Sequence, residues 1–167
     1  MAAHEHKARG PARVRCFVVT ISDTRTEATD TSGQAARQRI EAAGHEVAGS
    51  RVVKDEPGEV AALVERLCAS GETDVIITTG GTGVSRRDST YEALSGLLEK
   101  RLDGFGELFR MLSYQEIGGA AMLSRAQAGV RAGRIVVSLP GSPNACRLAL
   151  EKLLLPELGH LVREVNR

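Results

Sequence analysis

The sequence holds 167 residues, enough for one domain with a sizeable core. Its formal net charge of +1 gives no electrostatic basis for nucleic acid or a membrane surface as the main partner. With no Trp, two Tyr and three Phe it lacks the stacking platforms of single-strand nucleic-acid binders, and no apolar run approaches the ~20 residues that cross a bilayer.

Residues 1–12 form a polar lead with His4 and His6 that is expected to be flexible, ahead of a single domain over 13–167. The lead has no apolar segment of the signal-peptide kind. Cys16, Cys68 and Cys146 are odd in number and widely spaced, forming neither a Cys-x-x-Cys pair nor a zinc spacing. They are expected to be reduced, buried thiols of a cytoplasmic protein.

Residues 14–21 are apolar on both faces, as a central parallel strand should be, and end at Ser22-Asp23. Thr31 or Ser32 is placed to cap a helix running to about Ala43, closed by Gly44. Residues 46–53 read as a second strand that ends at Lys54-Asp55-Glu56-Pro57. Residues 59–70 carry Val60, Leu63, Val64 and Leu67 at helical spacing, before Gly71. Residues 74–79 are a β-branched run that reads as a buried strand. It opens into Gly80-Gly81-Thr82-Gly83, then Val84-Ser85-Arg86-Arg87-Asp88.

A glycine loop after a buried strand lets backbone N–H groups close in on an anion, and it lies outside the carboxyl ends of the strands, where α/β proteins bind ligands. Thr78, Thr79 and Thr82 add hydroxyls, Arg86 and Arg87 positive charge, and Asp88 a carboxylate suited to magnesium. The loop is not a Walker loop, because no lysine follows the glycines. Nor is it a dinucleotide fingerprint, because Arg86 stands where a third glycine is required. Asp23, Asp55 and Asp88 each follow a strand, so a parallel sheet brings all three to one edge.

Residues 89–100 and 104–112 read as two helices. Phe105, Leu108, Phe109 and Leu112 of the second are assigned to core or a subunit interface. The run from Ser113 to Gly119 is expected to break that helix, and residues 120–125 to add a turn. The strands 126–130 and 134–139 are separated by only three residues, too few for a parallel crossover, so they form an antiparallel hairpin. The loop Pro140-Gly141-Ser142-Pro143-Asn144 then starts a closing helix at Ser142 or Asn144, whose N-terminus offers a second anion site on the same edge. Pro156 should kink this helix before it continues to Arg163.

Several of these segments match a known family in order. Thr78-Thr79-Gly80-Gly81-Thr82-Gly83, Arg87-Asp88, Glu92-Ala93, Ser124-Arg125-Ala126, Ala128-Gly129 and Leu139-Pro140-Gly141-Ser142-Pro143 do so. So do Gly104-Phe105-Gly106-Glu107, Phe109-Arg110-Met111-Leu112-Ser113 and Glu116-Ile117-Gly118. Together they resemble the molybdopterin-binding-domain family of molybdenum cofactor biosynthesis, which takes in the B-type proteins and the molybdopterin adenylyltransferases. The resemblance runs from Arg13 to the C-terminus.

It implies a three-layer α/β/α fold with a mostly parallel sheet carrying one antiparallel strand, assembled as a trimer or a hexamer. It implies Mg²⁺, with ATP and molybdopterin as substrates: the pterin phosphate attacks the α-phosphorus of ATP, giving adenylyl-molybdopterin and pyrophosphate. The family's two essential acids fall on Asp55 and Asp88, with a metal-holding role. The pterin side falls on Thr78, Thr79, Gly80, Gly81, Thr82, Gly83, Ser113, Glu116, Gly141, Ser142, Pro143 and Asn144, and the nucleotide side on Ser22, Asp23 and Arg87. Arg87 and Arg125 are candidates to assist the departing pyrophosphate. One departure is Tyr91, where many adenylyltransferases have Pro; it leaves the catalytic groups in place and is expected to narrow the pocket. Some B-type members bind the pterin as non-catalytic carriers, and retention of both acids favours an active enzyme here.

Overall fold

The computed structural model describes residues 10–167; the histidine pair of the lead lies outside the described residues. Gly10 packs so closely on Gly159 that a Cβ there would stand 2.3 Å from the Gly159 carbonyl oxygen, so the expected flexible lead is anchored at its inner end.

In chain order the elements are β1 (Arg15–Ile21), α1 (Thr31–Ala42), β2 (Glu46–Val53), α2 (Pro57–Ser70), β3 (Val75–Thr79), α3 (Thr90–Leu97), β4 (Lys100–Arg101), α4 (Asp103–Ile117), β5 (Gln127–Arg131), β6 (Arg134–Leu139), α5 (Pro143–Ala149) and α6 (Leu158–Val165). A 3₁₀ stretch, Gly118–Leu123, follows α4, and a π-helical turn, Leu150–Leu154, carries α5 toward α6. The six strands form one sheet in the order β2-β1-β3-β6-β5-β4. All pairs are parallel except those of β5, which runs antiparallel to β6 and β4.

Period-two alternation makes the sheet two-faced. Val75 and Ile77 of β3 enter one apolar layer with α1, α4, α5 and α6, while Ile76 enters the other with Val60, Leu63 and Val64 of α2 and Leu94 of α3. Both isoleucines are fully buried, each contributing about 1.5–3 kcal/mol relative to exposure. The result is the three-layer α/β/α arrangement with one antiparallel strand. No helix among the described residues is long and apolar enough to cross a membrane.

The differences from the sequence reading have local causes. Asp30, not Thr31 or Ser32, caps α1: its Oδ1 accepts from Gly33 N at 2.9 Å, while Thr20 Oγ1 donates to Oδ2 at 2.8 Å. The helix at 89–100 ends at Leu97 because Lys100 and Arg101 pair with β5 as a short edge strand. The expected break at Ser113 does not occur. Ser113, Tyr114, Gln115 and Glu116 continue α4 until Gly118, whose φ of +64° stops it.

Candidate functional site

β3 and β6 are adjacent parallel strands with Thr79 opposite Leu139, so the loops that follow them emerge side by side. Gly80 N donates to Leu139 O at 2.9 Å across the junction. Gly80 has φ +101°, and a Cβ on it would stand 2.2 Å from the Ile21 carbonyl oxygen; only glycine fits. Gly141 of the second loop packs on it, with room for a Cβ 3.4 Å from Gly80 Cα.

Between the loops opens a cavity of about 500 Å³. Residues 80–83, Asp88, Ser113, Ser124 and residues 140–142 line it, with Phe109 and Ile117 among its apolar contacts. The Ser124 hydroxyl is buried without a hydrogen-bond partner. An orphaned hydroxyl in a cavity wall fits a polar ligand that supplies the missing partner.

The three acids that follow strands meet around the first loop. Asp55 is buried, and its Oδ1 accepts from Thr90 Oγ1 at 2.5 Å. A Cβ on Gly81 would lie 3.3 Å from that Oδ1, which places the carboxylate against the glycine loop. Asp55 N donates to Asp23 Oδ1 at 3.1 Å. Asp23 in turn receives Arg87 Nε at 3.1 Å and Nη2 at 3.3 Å, and Arg87 Nη2 also reaches Glu56 at 2.9 Å. The Arg87 bonds, with the Asp55 amide, hold the Asp23 carboxyl below its usual range. Asp88 accepts from Ser85 N at 3.1 Å and from the Ser85 hydroxyl, and lies close against Gly83.

The remaining expected site residues divide. Ser22, Thr79 and Gly141 line a smaller cavity of about 170 Å³ with Thr20 and Arg25. Thr79 Oγ1 is buried there without a hydrogen-bond partner, whereas Thr78 Oγ1 donates to Val137 O at 3.4 Å. Ser142 caps α5, accepting from Ala145 N at 3.1 Å, and Pro143 is the helix's first residue. Glu116 and Asn144 are outside the main cavity lining and bind each other: Asn144 Nδ2 donates to Glu116 Oε2 at 2.7 Å. Arg147 completes that trio, reaching Glu116 at 2.8 Å and Asn144 Oδ1 at 2.8 Å. Bonds from Asn144 and Arg147 hold the Glu116 carboxyl below its usual range.

Tyr91 does not narrow the cavity. Its ring packs under the Arg125 guanidinium, 4.5 Å from carbon to centroid, and its hydroxyl faces Arg101 at 3.4 Å. Ser124 lines the cavity, and Arg125 bonds the first loop across some 40 residues of chain; no spacing rule signals either placement. Cys146 is core: burial pushes its thiol up to about 11, despite the neighbouring Thr79 hydroxyl.

No cluster of three or more His, Cys, Asp or Glu side chains that could hold a metal occurs among the described residues. Mg²⁺ does not require one, since it commonly binds through one or two carboxylates, waters and substrate phosphates. Asp88 lines the cavity, and Asp55 is buried against Gly81 outside that lining; both are carboxylates of the kind this mode uses.

Residues 17–160 match a family model described as a probable molybdopterin binding domain. Molybdenum cofactor biosynthesis protein B of Bacillus cereus is 50% identical over 168 residues, covering 100% of this chain and 99% of that protein. A crystal structure of a molybdenum cofactor biosynthesis protein B superposes with a TM-score of 0.86 at 49% identity, covering 95% of this chain and 99% of that one. The tungsten cofactor synthesizing protein MoaB from Pyrococcus furiosus gives 0.83 at 37% identity, over 94% and 99%. With its fold, its paired loops and these matches, the chain belongs to the molybdopterin-binding-domain family, the family of the B-type molybdenum cofactor biosynthesis proteins.

Proposed function

We propose that the protein serves molybdenum cofactor biosynthesis by binding molybdopterin in the larger cavity and adenylylating it with Mg-ATP. The observation that carries this reading is the cavity itself. Two backbone loops, an acid at one wall and an unpartnered Ser124 hydroxyl converge on a space sized for a small polar ligand.

The pterin phosphate is the nucleophile. One of its oxygens bonds to the α-phosphorus of ATP, the bond from that phosphorus to the bridging oxygen breaks, and pyrophosphate leaves with the electron pair. Backbone N–H groups of the glycine loop hold the attacking phosphate and fix its line of approach. Ser113, Gly141 and Ser142 bound the pterin side, and Ser22, Asp23 and Arg87 the nucleotide side. Asp55 and Asp88 would hold Mg²⁺, which when bound supplies charge compensation for the phosphates. Neither acid acts as nucleophile.

A second reading has its own support. Arg87 is already engaged by Asp23 and Glu56, so the nucleotide side is charge-compensated without ligand. A non-catalytic molybdopterin carrier would bind the pterin and ignore ATP. Purified protein given molybdopterin, ATP and Mg²⁺ distinguishes the two, with adenylyl-molybdopterin as readout. Asp88→Asn is expected to lower turnover at least about 100-fold while pterin binding persists. Pterin binding without any adenylate from the wild-type protein would establish the carrier. Absence of pterin binding would sink both.

A further inference from the structure

Within the glycine loop between Thr82 and Asp88 the internal bonds join Ser85 and Asp88, and residues 82 and 83 with Asp88 line the cavity. Arg125, in the segment just before β5, binds the loop without being part of the cavity lining, although its neighbour Ser124 is. Its Nε donates to Thr82 O at 3.0 Å, and its Nη2 donates to Asp88 O at 2.8 Å and to Gly83 O. Its Nη1 pairs with Glu92, and the guanidinium carbon sits over the Tyr91 ring. Gln127 Nε2 in turn holds Tyr91 O at 3.1 Å. The Arg125 side chain is 24% exposed, so these bonds are only partly screened. One cation thus spans both ends of the loop, at three carbonyls.

The peptide bond turns this into an orientation. In a trans peptide, C=O and N–H point in opposite directions. With the carbonyls of Thr82 and Gly83 drawn toward the guanidinium, the N–H groups of Gly83 and Val84 are sent away from it. The contact at Asp88 O fixes the backbone of the residue that carries the site's acid.

We propose that Arg125 is a positioning residue: it clamps the glycine loop by its carbonyls, so that the loop's amides and Asp88 are set for a phosphate-bearing ligand before that ligand arrives. Tyr91 supplies the ring over which the guanidinium carbon sits. Lysine keeps the charge but not the planar fork needed to reach three acceptors at once. The clamp rests on the reading of the cavity as a pterin-phosphate site only for its consequence, not for its existence.

The test therefore has two arms. In the first, amide hydrogen exchange over residues 82–89 is compared in ligand-free wild-type protein, Arg125→Lys, Arg125→Gln and Glu92→Gln. Both arginine variants are expected to exchange at least about tenfold faster in this segment, with β3 and β6 unchanged, and Glu92→Gln to stay near wild type because the carbonyl contacts remain. In the second arm, binding of molybdopterin and of its dephosphorylated counterpart is measured. Arg125→Gln is expected to weaken the phosphorylated ligand about tenfold or more and the dephosphorylated one much less. Unchanged exchange at 82–89 in both arginine variants overturns the clamp, as does an equal loss for both ligands. A wild-type protein that binds neither ligand overturns the pterin reading, while the exchange arm still decides the clamp. If Arg125→Gln does not fold, Arg125→Lys carries both measurements.

Discussion

Replacing Gly83 by alanine perturbs one side chain and little else. Gly83 has a backbone conformation open to other residues, unlike Gly80 and Gly81 with φ of +101° and +68°. The new Cβ would stand 2.6 Å from Asp88 Oδ2 and 2.8 Å from Cγ. The carboxylate must retreat by roughly 1 Å to reach ordinary van der Waals separation, and it sits at the free end of its side chain. That movement weakens its bonds to Ser85, at a stability cost of about 1 kcal/mol. The catalytic cost should be far larger, because a misplacement of about 1 Å near the reacting phosphates lowers rates about 100-fold. The assay is adenylyl-molybdopterin formation beside a thermal melt of the same samples. A Gly83→Ala protein with wild-type turnover would show that the position of Asp88 is irrelevant to the chemistry.

Two other glycines of the site should respond in opposite ways. Gly80→Ala drives a Cβ to 2.2 Å from the Ile21 carbonyl oxygen and should cost at least about 3 kcal/mol in urea denaturation. Gly141→Ala meets Gly80 Cα at an ordinary 3.4 Å and should stay within about 1 kcal/mol of wild type. The acid limb of stability should depend on Asp74. Burial alone would raise its carboxyl, but two Arg15 side-chain bonds and the Arg15 amide hold it below the ordinary 3.8. A depressed folded value adds stability that is complete above pH 3.8 and is lost as pH falls through the folded value. Asp74→Asn should thus cost about 1–2 kcal/mol at pH 7, a gap that closes in urea titrations below pH 3.8. Finally, Leu108, Met111, Tyr114 and Met122 form an exposed apolar strip on α4 and the turn after it. A homo-oligomer, trimer or hexamer, would cover it, and Met111→Lys should shift the protein to smaller species in light scattering; unchanged mass would place the assembly surface elsewhere.

The sheet was legible because its strands are short β-branched runs between glycines and polar caps: β2 and β6 have the bounds that their residues suggest. β4 was not, since two charged residues carry no alternation to read. The continuation of α4 was hidden for a similar reason. Ser113, Tyr114, Gln115 and Glu116 look polar, yet none of them breaks a helix, and Ser113 is needed inward, at the cavity. At the site, the first glycine loop declared itself through Gly80 and Gly81, whose positive φ only glycine meets without strain. The partners of the arginines did not. Arg87, Arg125 and Arg147 find their partners across long stretches of chain, and side-chain reach of that kind leaves no periodic trace.

The bond from Gly80 N to Leu139 O has a consequence for how such a cleft varies. It is the last rung of the β3–β6 ladder, and the two ligand-holding turns spring from either side of it. Their spacing is therefore inherited from sheet geometry, near 4.8 Å between neighbouring strands, and not set by the turns themselves. Residues around the mouth are free to change with the guest, while the gauge of the opening stays locked to the ladder beneath.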